Sequence, residues 1–206
     1  MTRIGIFGGS FNPIHTAHLI LAERALQERA LDKVLFIPAL KPPHKPQRPV
    51  APAEHRMRMV ELAIEGNPAF EASRIELERQ GPSYTLVTVR QLRAALGSAA
   101  ALFLLLGADS VHDIPTWWRA QELVREVEII AFERPGYSLD EDFKALAGLF
   151  GEAWARNVRE LKVPAPVIGI SATEIRERVR AGKSIRYMVP EPVRQYIIEH
   201  GVYARS

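Results

Sequence analysis

Two histidines stand three residues apart near the start of the chain, directly after a pair of glycines. The stretch GIFGGSFNPIHTAHL (residues 5–19) runs from an apolar segment through Gly8 and Gly9 to His15 and His18. Residues at i and i+3 share one face of a helix, so we expect both imidazoles in the first turn of the helix that follows. A zinc pair is disfavoured, because no third His, Asp or Glu follows at ligand spacing. Helix capping and phosphate binding are the interpretations that the spacing leaves open.

The context of this turn favours phosphate binding. Glycine lets the backbone approach a ligand closely, and the N-terminus of the next helix offers unpaired N–H groups and the positive end of its dipole. The turn lacks the G-x-G-x-x-G spacing of dinucleotide folds and the G-x-x-x-x-G-K-[ST] spacing of Walker loops. We therefore expect an anion site in which the histidines supply what the Walker lysine supplies elsewhere.

The elements that must position this turn alternate along the chain. Apolar runs and turn signals predict strands at 3–8, 32–39, 70–79, 100–109, 127–136 and 165–171. Helical spacing and capping signals predict helices at 17–30, 53–66, 81–97, 115–126, 139–158, 171–182 and 190–201. This alternation predicts an α/β fold with a Rossmann-like, doubly wound parallel sheet, whose ligands bind at the carboxyl ends of the strands. The most apolar run, 100–109, is expected at the centre. Residues 1–170 would form the α/β domain, and residues 171–206 a small C-terminal helical appendage.

Composition narrows the class of protein and of partner. The chain has 206 residues, 47% hydrophobic and 25% charged, which is ordinary for a globular protein. It has no cysteine, which excludes disulfide scaffolds and thiolate metal sites and fits a reducing cytosol. A net charge of +3 without runs of like charge favours anionic small molecules over nucleic acid. The chain starts without a signal-peptide pattern, and its longest apolar run is half a membrane span, so we expect a cytoplasmic protein with no membrane partner.

Five motifs resemble those of bacterial nicotinate-nucleotide adenylyltransferases, a family within the T/HxGH nucleotidyltransferase superfamily. GGSFNPIHTAH resembles the family signature G-G-[ST]-F-[DN]-P-x-H-x-G-H. The other four follow in the family's order: IPALKPPHK (37–45), GPSYTLVTV (81–89), GADSVHDIPTWWRAQEL (107–123) and ISATEIR (170–176). The chain departs from the pattern at Ala17, where the family has glycine, and at Trp118, where tyrosine is often seen.

The resemblance implies an enzyme that transfers the adenylyl group of ATP to nicotinate mononucleotide, giving deamido-NAD and pyrophosphate in NAD biosynthesis. Mg²⁺ would be carried by the ATP phosphates, with no metal site built from the protein alone, and the residues from 171 onward would complete the ATP site. The catalytic residues would be His15 and His18. ATP and its phosphates would be bound by Gly8, Gly9, Ser10, Phe11, Ser171, Thr173, Arg176 and Lys45, with His44 as a further candidate. Nicotinate mononucleotide would be bound by Thr85, Asp109, Trp117 and Trp118.

Simpler interpretations stay open beside these assignments. Ser171 with Glu174 could be a plain capping box, Lys45 a solvated loop lysine, and one of the two tryptophans a core residue. Within the superfamily, the acceptor could instead be nicotinamide mononucleotide, phosphopantetheine, FMN or a CTP-dependent substrate, although the PSYT and TWW segments argue against the last three. A non-catalytic nucleotide sensor and a class I tRNA synthetase are further alternatives. The four residues His15, His18, Ser171 and Arg176 argue against the sensor, and the chain's length argues against the synthetase. Assembly into a homo-oligomer is left open.

Overall fold

A six-stranded sheet organises the chain in a computed structural model that describes residues 1–41, 50–97, 99–133, 140–166 and 168–204. The strand order is β3-β2-β1-β4-β5-β6, and each neighbouring pair is parallel. The strands are β1 (Thr2–Gly9), β2 (Lys33–Pro38), β3 (Phe70–Ala72), β4 (Ala100–Gly107), β5 (Glu128–Glu133) and β6 (Val163–Pro164). The helices are α1 (Thr16–Glu28), α2 (Ala53–Ile64), α3 (Thr85–Leu96), α4 (Ala108–Asp113), α5 (Ala120–Glu126), α6 (Asp140–Phe150), α7 (Glu152–Glu160), α8 (Ala172–Arg180) and α9 (Glu191–Glu199). The predicted α/β, Rossmann-like fold is confirmed.

Both faces of the sheet are apolar, because its central strands are buried on both sides. Successive side chains of a strand point to opposite faces. In β4, Leu102 and Leu104 therefore join one buried cluster while Phe103 and Leu105 join the other. Helices α3 to α7 cover the first face, and α1, α2, α8 and α9 cover the second. The interior position that the sequence predicts for the most apolar strand is confirmed, since β4 lies between β1 and β5.

The C-terminal helices bury their apolar residues in the same core as the sheet. Ile175 of α8 and Ile197 of α9 belong to the cluster that also contains Phe7 of β1. The amide of Thr16, the first residue of α1, donates to the carbonyl of Met188 at 3.0 Å. This part of the chain thus packs against the beginning of the protein. A division into a domain of residues 1–170 and a subdomain of residues 171–206 stays a prediction.

One predicted strand is shorter in the structure, and another is displaced. The strand predicted over 70–79 ends at Ala72, where β3 leaves the edge of the sheet and the chain turns, bringing Glu76 to a buried position. The strand predicted over 165–171 is wrong, because the described residues that pair with β5 are Val163 and Pro164, and the described part of 165–171 contains no strand. Pro166, two residues after the end of β6, has no amide hydrogen with which to extend the ladder.

Three helices have other boundaries in the structure than predicted, each for a local reason. The helix predicted over 139–158 is two helices separated by Gly151, whose φ of 97° lies in the left-handed region. The helix predicted over 115–126 begins only at Ala120, because Ile114–Thr116 form a separate 3₁₀ turn and Arg119 has a φ of 55°. The helix predicted from 81 begins at Thr85, since the Ser83 hydroxyl accepts hydrogen bonds from the amides of Leu40 and Lys41 instead. Among the described residues, no helix combines the length and apolar character that crossing a bilayer requires.

Candidate active site

A cavity of about 460 Å³ opens at the carboxyl ends of β1 and β4. Ligands of doubly wound sheets bind in such a crevice, outside the strand ends where the order reverses. Seven of the predicted site residues line this cavity: Gly8, Gly9, Ser10, Thr85, Asp109, Trp117 and Trp118. The structure therefore brings together the glycine turn and the residues predicted for the mononucleotide. The predicted residues His15, His18, Ser171, Thr173 and Arg176 lie outside this lining.

Gly8 and Gly9 differ in the space that surrounds them. A Cβ atom at Gly9 would lie 3.3 Å from the ring of Phe11, which is a tight contact within the protein. A Cβ atom at Gly8 would meet no atom within 4 Å. The described protein thus leaves the space beside Gly8 empty, and Gly8 is one of the residues that line the cavity. This is the geometry expected where a backbone must come close to a ligand.

The turn after the glycines is held in an uncommon conformation. Phe11 has a φ of 42°, although left-handed backbone is unfavourable for a bulky residue. Its side chain is buried, and its ring contacts those of Phe7 and His18 edge-on at 5.8 and 5.2 Å. The Phe11 side chain is thus part of the protein interior, and only its backbone is left to meet a ligand.

His15 and His18 meet at the start of α1. Their rings stack with centroids 3.7 Å apart, and the side chain of His18 reaches back across the first turn to the N-cap residue His15. Nδ1 of His18 accepts a 3.1 Å hydrogen bond from the backbone amide of His15. When Nδ1 of a neutral imidazole accepts, the proton resides on Nε2. His18 is therefore assigned as an Nε2–H donor. The capping interpretation is present in the structure, and it leaves Nε2 available for another partner.

Both imidazoles are neutral at pH 7. Burial lowers the pKa of His15 to about 4. Burial also lowers the pKa of His18 well below its usual value, and the charge of a protonated His15 would lower it further. The sequence left open whether these side chains are cationic, and the free protein holds them as neutral hydrogen-bonding groups.

The N-terminus of α1 is less open than the sequence suggests. We expected its amides to be unpaired, but Thr16 donates to Met188 O at 3.0 Å and His18 donates to His15 O at 2.9 Å. A helix start whose amides already have partners has less to offer an anion. The expectation is therefore wrong for these two amides.

Arg176 links α8 to the glycine turn. Its Nη1 donates to the carbonyl of Asn12 at 2.8 Å, and its Nη2 donates to Oγ1 of Thr173 at 3.1 Å. Oγ of Ser171 accepts from the amide of Glu174 at 3.1 Å, so Ser171 is a helix N-cap. The hydroxyls of Ser171 and Thr173 are exposed at the start of the helix. Three predicted phosphate ligands thus lie together, joined to the turn by one guanidinium group.

The aromatic side of the cavity includes a stacked pair. The rings of Tyr84 and Trp118 lie 4.7 Å apart at an interplanar angle of 20°, and Trp118 is 41% exposed. Trp117 packs against the core cluster under α3 to α5 and also lines the cavity. Of the two tryptophans, Trp117 is thus the one that contacts the core, while it keeps access to the cavity.

Sequence reasoning missed several groups around this cavity. Tyr84 stands inside the PSYT motif without having been assigned a role, although an aromatic residue before a helix start was a visible signal. The carboxyl groups of Glu76, Asp109 and Asp113 line the cavity, whereas its described lining contains no lysine, arginine or histidine. Glu76 is buried and accepts a 2.6 Å hydrogen bond from the hydroxyl of Thr88. The cavity is thus acidic in its side chains, and an anionic group inside it must be bound by backbone N–H groups or hydroxyls.

Lys45 and Ala17 are the remaining positions that the sequence singled out. Lys45, with its neighbour His44, lies outside the described residues. Ala17, which replaces the family's glycine, is buried in the first turn of α1. Its methyl group is therefore part of the protein interior.

Comparison with known proteins gives one consistent result. Residues 6–178 match the family model described as cytidylyltransferase-like. A relative from Thermus thermophilus is 45% identical over 201 residues, covering 98% of this chain and 99% of the relative. One from Thermomicrobium roseum is 43% identical over 203 residues, covering 98% and 92%. Both carry the name "Probable nicotinate-nucleotide adenylyltransferase".

A solved structure supports the fold. Nicotinic acid mononucleotide adenylyltransferase from Plasmodium falciparum, complexed with NaAD, superimposes with a TM-score of 0.73. The match covers 98% of each chain at 20% sequence identity. At that identity, the likeness concerns the fold.

Proposed function

Because the chain belongs to the cytidylyltransferase-like family, we propose that it is the adenylyltransferase its relatives are named for and joins ATP to nicotinate mononucleotide. The products are deamido-NAD and pyrophosphate, and the reaction is a step of NAD biosynthesis. The observation that carries this proposal is a single cavity that holds the open glycine turn at one side and the tryptophans at the other. Such a cavity can seat a phosphate chain and an aromatic nucleotide base side by side.

The reaction requires positioning rather than proton abstraction. The nucleophile is the phosphate of the mononucleotide, which is mostly dianionic at pH 7 because its second pKa is about 6. One of its oxygens attacks the α-phosphorus of ATP, and the bond from that phosphorus to the bridging oxygen breaks as pyrophosphate leaves. Catalysis then consists of bringing two anions together and stabilising the charge on the leaving oxygen. Neutral hydrogen-bond donors at fixed positions suit this task.

We assign the phosphate-binding side to groups from two parts of the chain. Backbone N–H groups of residues 8–11 would lie between the two phosphate chains. His18 would donate from Nε2 to the ATP phosphates, with His15 beside it. Ser171, Thr173 and Arg176 would contact the β- and γ-phosphates from the start of α8. Lys45, and His44 with it, would add positive charge from the segment that precedes α2.

We assign the mononucleotide to the aromatic and acidic side. The nicotinate ring would lie against Trp117, and backbone N–H groups near Thr85 and Trp118 would bind its carboxylate. Asp109 would accept a hydrogen bond from a ribose hydroxyl. The pyridinium ring carries a positive charge, which the carboxyl groups that line the cavity suit. Because the described lining contains no cationic side chain, the nicotinate carboxylate would depend on backbone N–H donors.

Magnesium fits this site as a companion of ATP. Among the described residues, no three His, Cys, Asp or Glu side chains cluster closely enough to hold a metal ion. Mg²⁺ commonly keeps several waters and binds through substrate phosphates. We propose that Mg²⁺ enters with ATP, bound by phosphate oxygens, and that it neutralises charge on the triphosphate.

The remaining assignments are part of the same proposal. The substrates are ATP and nicotinate mononucleotide, without nucleic acid or membrane as a partner, and the cytoplasm is the proposed compartment. Assembly of the chain with further copies of itself is compatible with these assignments, and size-exclusion chromatography with light scattering decides it.

Product analysis tests the function. Purified protein is incubated with ATP, Mg²⁺ and nicotinate mononucleotide. The products are separated by chromatography, and they are identified and quantified by mass spectrometry. We expect deamido-NAD and pyrophosphate in equal amounts. A His18→Ala preparation made in parallel controls for contaminating enzyme. Hydrolysis of ATP without a dinucleotide, or equal product from the variant, would contradict the proposal.

A further inference from the structure

Arg56 is a buried arginine directly behind the glycine turn. It lies in the first turns of α2 and is only 2% exposed. Its Nε donates to the carbonyl of Ala51 at 2.9 Å, and its Nη1 donates to the carbonyl of Ser10 at 2.8 Å. Within the described part of the chain, Arg56 makes no salt bridge with a carboxylate. Its charge is therefore compensated by backbone carbonyl groups.

Such an arrangement is difficult to explain by stability alone. A buried charge is unfavourable unless it is paired, and burial lowers the pKa of Arg56 below its ordinary value. An apolar residue would pack in this helix position more simply, since Met57 and Val60 nearby are both buried. The position of Arg56 thus points to a role for its charge or its hydrogen bonds.

The hydrogen bond to Ser10 fixes the orientation of a peptide group. In a trans peptide, the carbonyl of one residue and the N–H of the next point in opposite directions. Holding Ser10 O towards Arg56 therefore turns the amide of Phe11 away from Arg56. No carbonyl or side chain in the described residues accepts from that amide. Phe11 also has the left-handed φ of 42°, which its surroundings must maintain.

We propose that Arg56 is a positioning residue for adenylyl transfer. It holds the Ser10 carbonyl so that the Phe11 amide is presented to a phosphate group, and its buried charge makes the turn more positive. The inference rests on the proposed function, because the phosphate meant here is that of ATP or of its acceptor. Arg56 acts through the backbone of the turn and touches neither substrate.

Three variants test this role. Arg56→Met keeps much of the volume but removes the charge and both hydrogen bonds, and we expect kcat to fall about a hundredfold, as when a preorganised donor is lost. Arg56→Lys keeps the charge but replaces the planar fork with a single ammonium group, so we expect a fall of about tenfold. Arg58→Met is the matched control, because Arg58 is exposed on the same helix and pairs with Glu61 at 3.1 Å. It should leave kcat unchanged.

Chemical rescue separates positioning from folding. A truncated variant, Arg56→Ala, leaves the space of the guanidinium group open, so guanidinium at millimolar concentration should restore part of its kcat, whereas sodium chloride at equal ionic strength should not. If Arg56→Met does not fold, the folded Arg56→Lys variant decides by its kcat. An unchanged kcat in either folded variant, with only a lower melting temperature, would overturn the inference.

A wild-type measurement keeps the two proposals distinct. If the wild type forms no dinucleotide, the proposed function is wrong. The role of Arg56 at the turn is then tested separately, by measuring the ATP affinity of the variants by calorimetry. Weaker ATP binding by Arg56→Met than by Arg58→Met supports its role at the turn. Equal binding by the two variants contradicts it.

Discussion

Nδ1 of His18 accepts a 3.1 Å hydrogen bond from the backbone amide of His15. This contact assigns the single proton of the neutral imidazole to Nε2. The same contact that caps the helix thus also orients a donor. Capping and phosphate binding, which the sequence offers as alternatives, are compatible because they use different nitrogens of one ring.

Substitutions at His18 should distinguish its two nitrogens. His18→Ala is expected to lower kcat by about a hundredfold, the effect of losing a preorganised transition-state donor. The amide of His18→Gln can reach the position of Nε2, whereas that of His18→Asn reaches only the position of Nδ1. We therefore expect steady-state kinetics to show higher kcat for Gln than for Asn. Equal values for the two amides, or a change confined to KM in the alanine variant, would refute the Nε2–H assignment.

The stability of the protein should fall in mild acid because of the buried histidines. The pKa of His15 is about 4 in the folded protein and about 6.5 in an unfolded chain. The unfolded state therefore binds a proton as pH falls below 6.5, while folded His15 stays neutral until about pH 4. The free energy of unfolding is expected to drop by about 3 kcal/mol over this window from His15 alone, with His18 acting in the same direction.

Urea titrations at several pH values measure this effect. His15→Asn keeps a residue that caps helices well and should flatten the pH dependence. His200→Gln, which changes an exposed histidine, should leave the slope as in the wild type. A slope in His15→Asn as steep as in the wild type would show that His15 is not the group concerned.

The sequence predicts the parts of the site that are local. The sequence places a glycine pair after one apolar run and two tryptophans after another. Because parallel strands end at the same edge of a sheet, both could be assigned to one site. Arg56 was not predicted, since it lies within a regular helical segment where an arginine usually faces solvent. Its burial depends on the Ser10 carbonyl 46 residues earlier, a contact that only the fold creates.

The edges of the fold were harder to predict for a related reason. The position of β6 depends on which residues come to lie beside β5, and this information is not in the segment itself. Likewise, the link from Arg176 to Asn12 spans 164 residues, although each motif is visible separately. Local patterns predict which groups are present, and tertiary contacts decide which atoms meet.

Gly8→Ala should lower activity without destabilising the protein. The added methyl meets no protein atom within 4 Å, but it enters the space where a phosphate would approach the turn. We expect an unchanged melting temperature and a kcat/KM about tenfold lower or more, in keeping with the sensitivity of reactions to small displacements. Gly148→Ala, in α6 and also without close neighbours, controls for the change of residue type and should retain full activity. Full activity of Gly8→Ala would show that no substrate approaches the backbone at Gly8.

Trp118→Ala should affect the mononucleotide more than ATP. Trp118 is exposed and stacks on Tyr84, so its loss removes one wall of the aromatic side while the core stays intact. We expect KM for nicotinate mononucleotide to rise about tenfold, the scale of one aromatic contact, with KM for ATP little changed. Leu149→Ala removes another exposed apolar side chain and serves as the control. A rise in KM for ATP alone would show that Trp118 contacts ATP instead of nicotinate mononucleotide and would contradict the assignment.

The selectivity between nicotinate and nicotinamide mononucleotides tests the central claim most directly. With ATP and Mg²⁺ in excess, pyrophosphate release is followed as each acceptor is varied, and the two kcat/KM values are compared. Backbone N–H groups suit the nicotinate carboxylate, while the NH₂ of the amide would face donors and leave them unpaired. We therefore expect kcat/KM to be at least about tenfold higher for the acid. Equal values for the two acceptors, or no turnover with either, would contradict it.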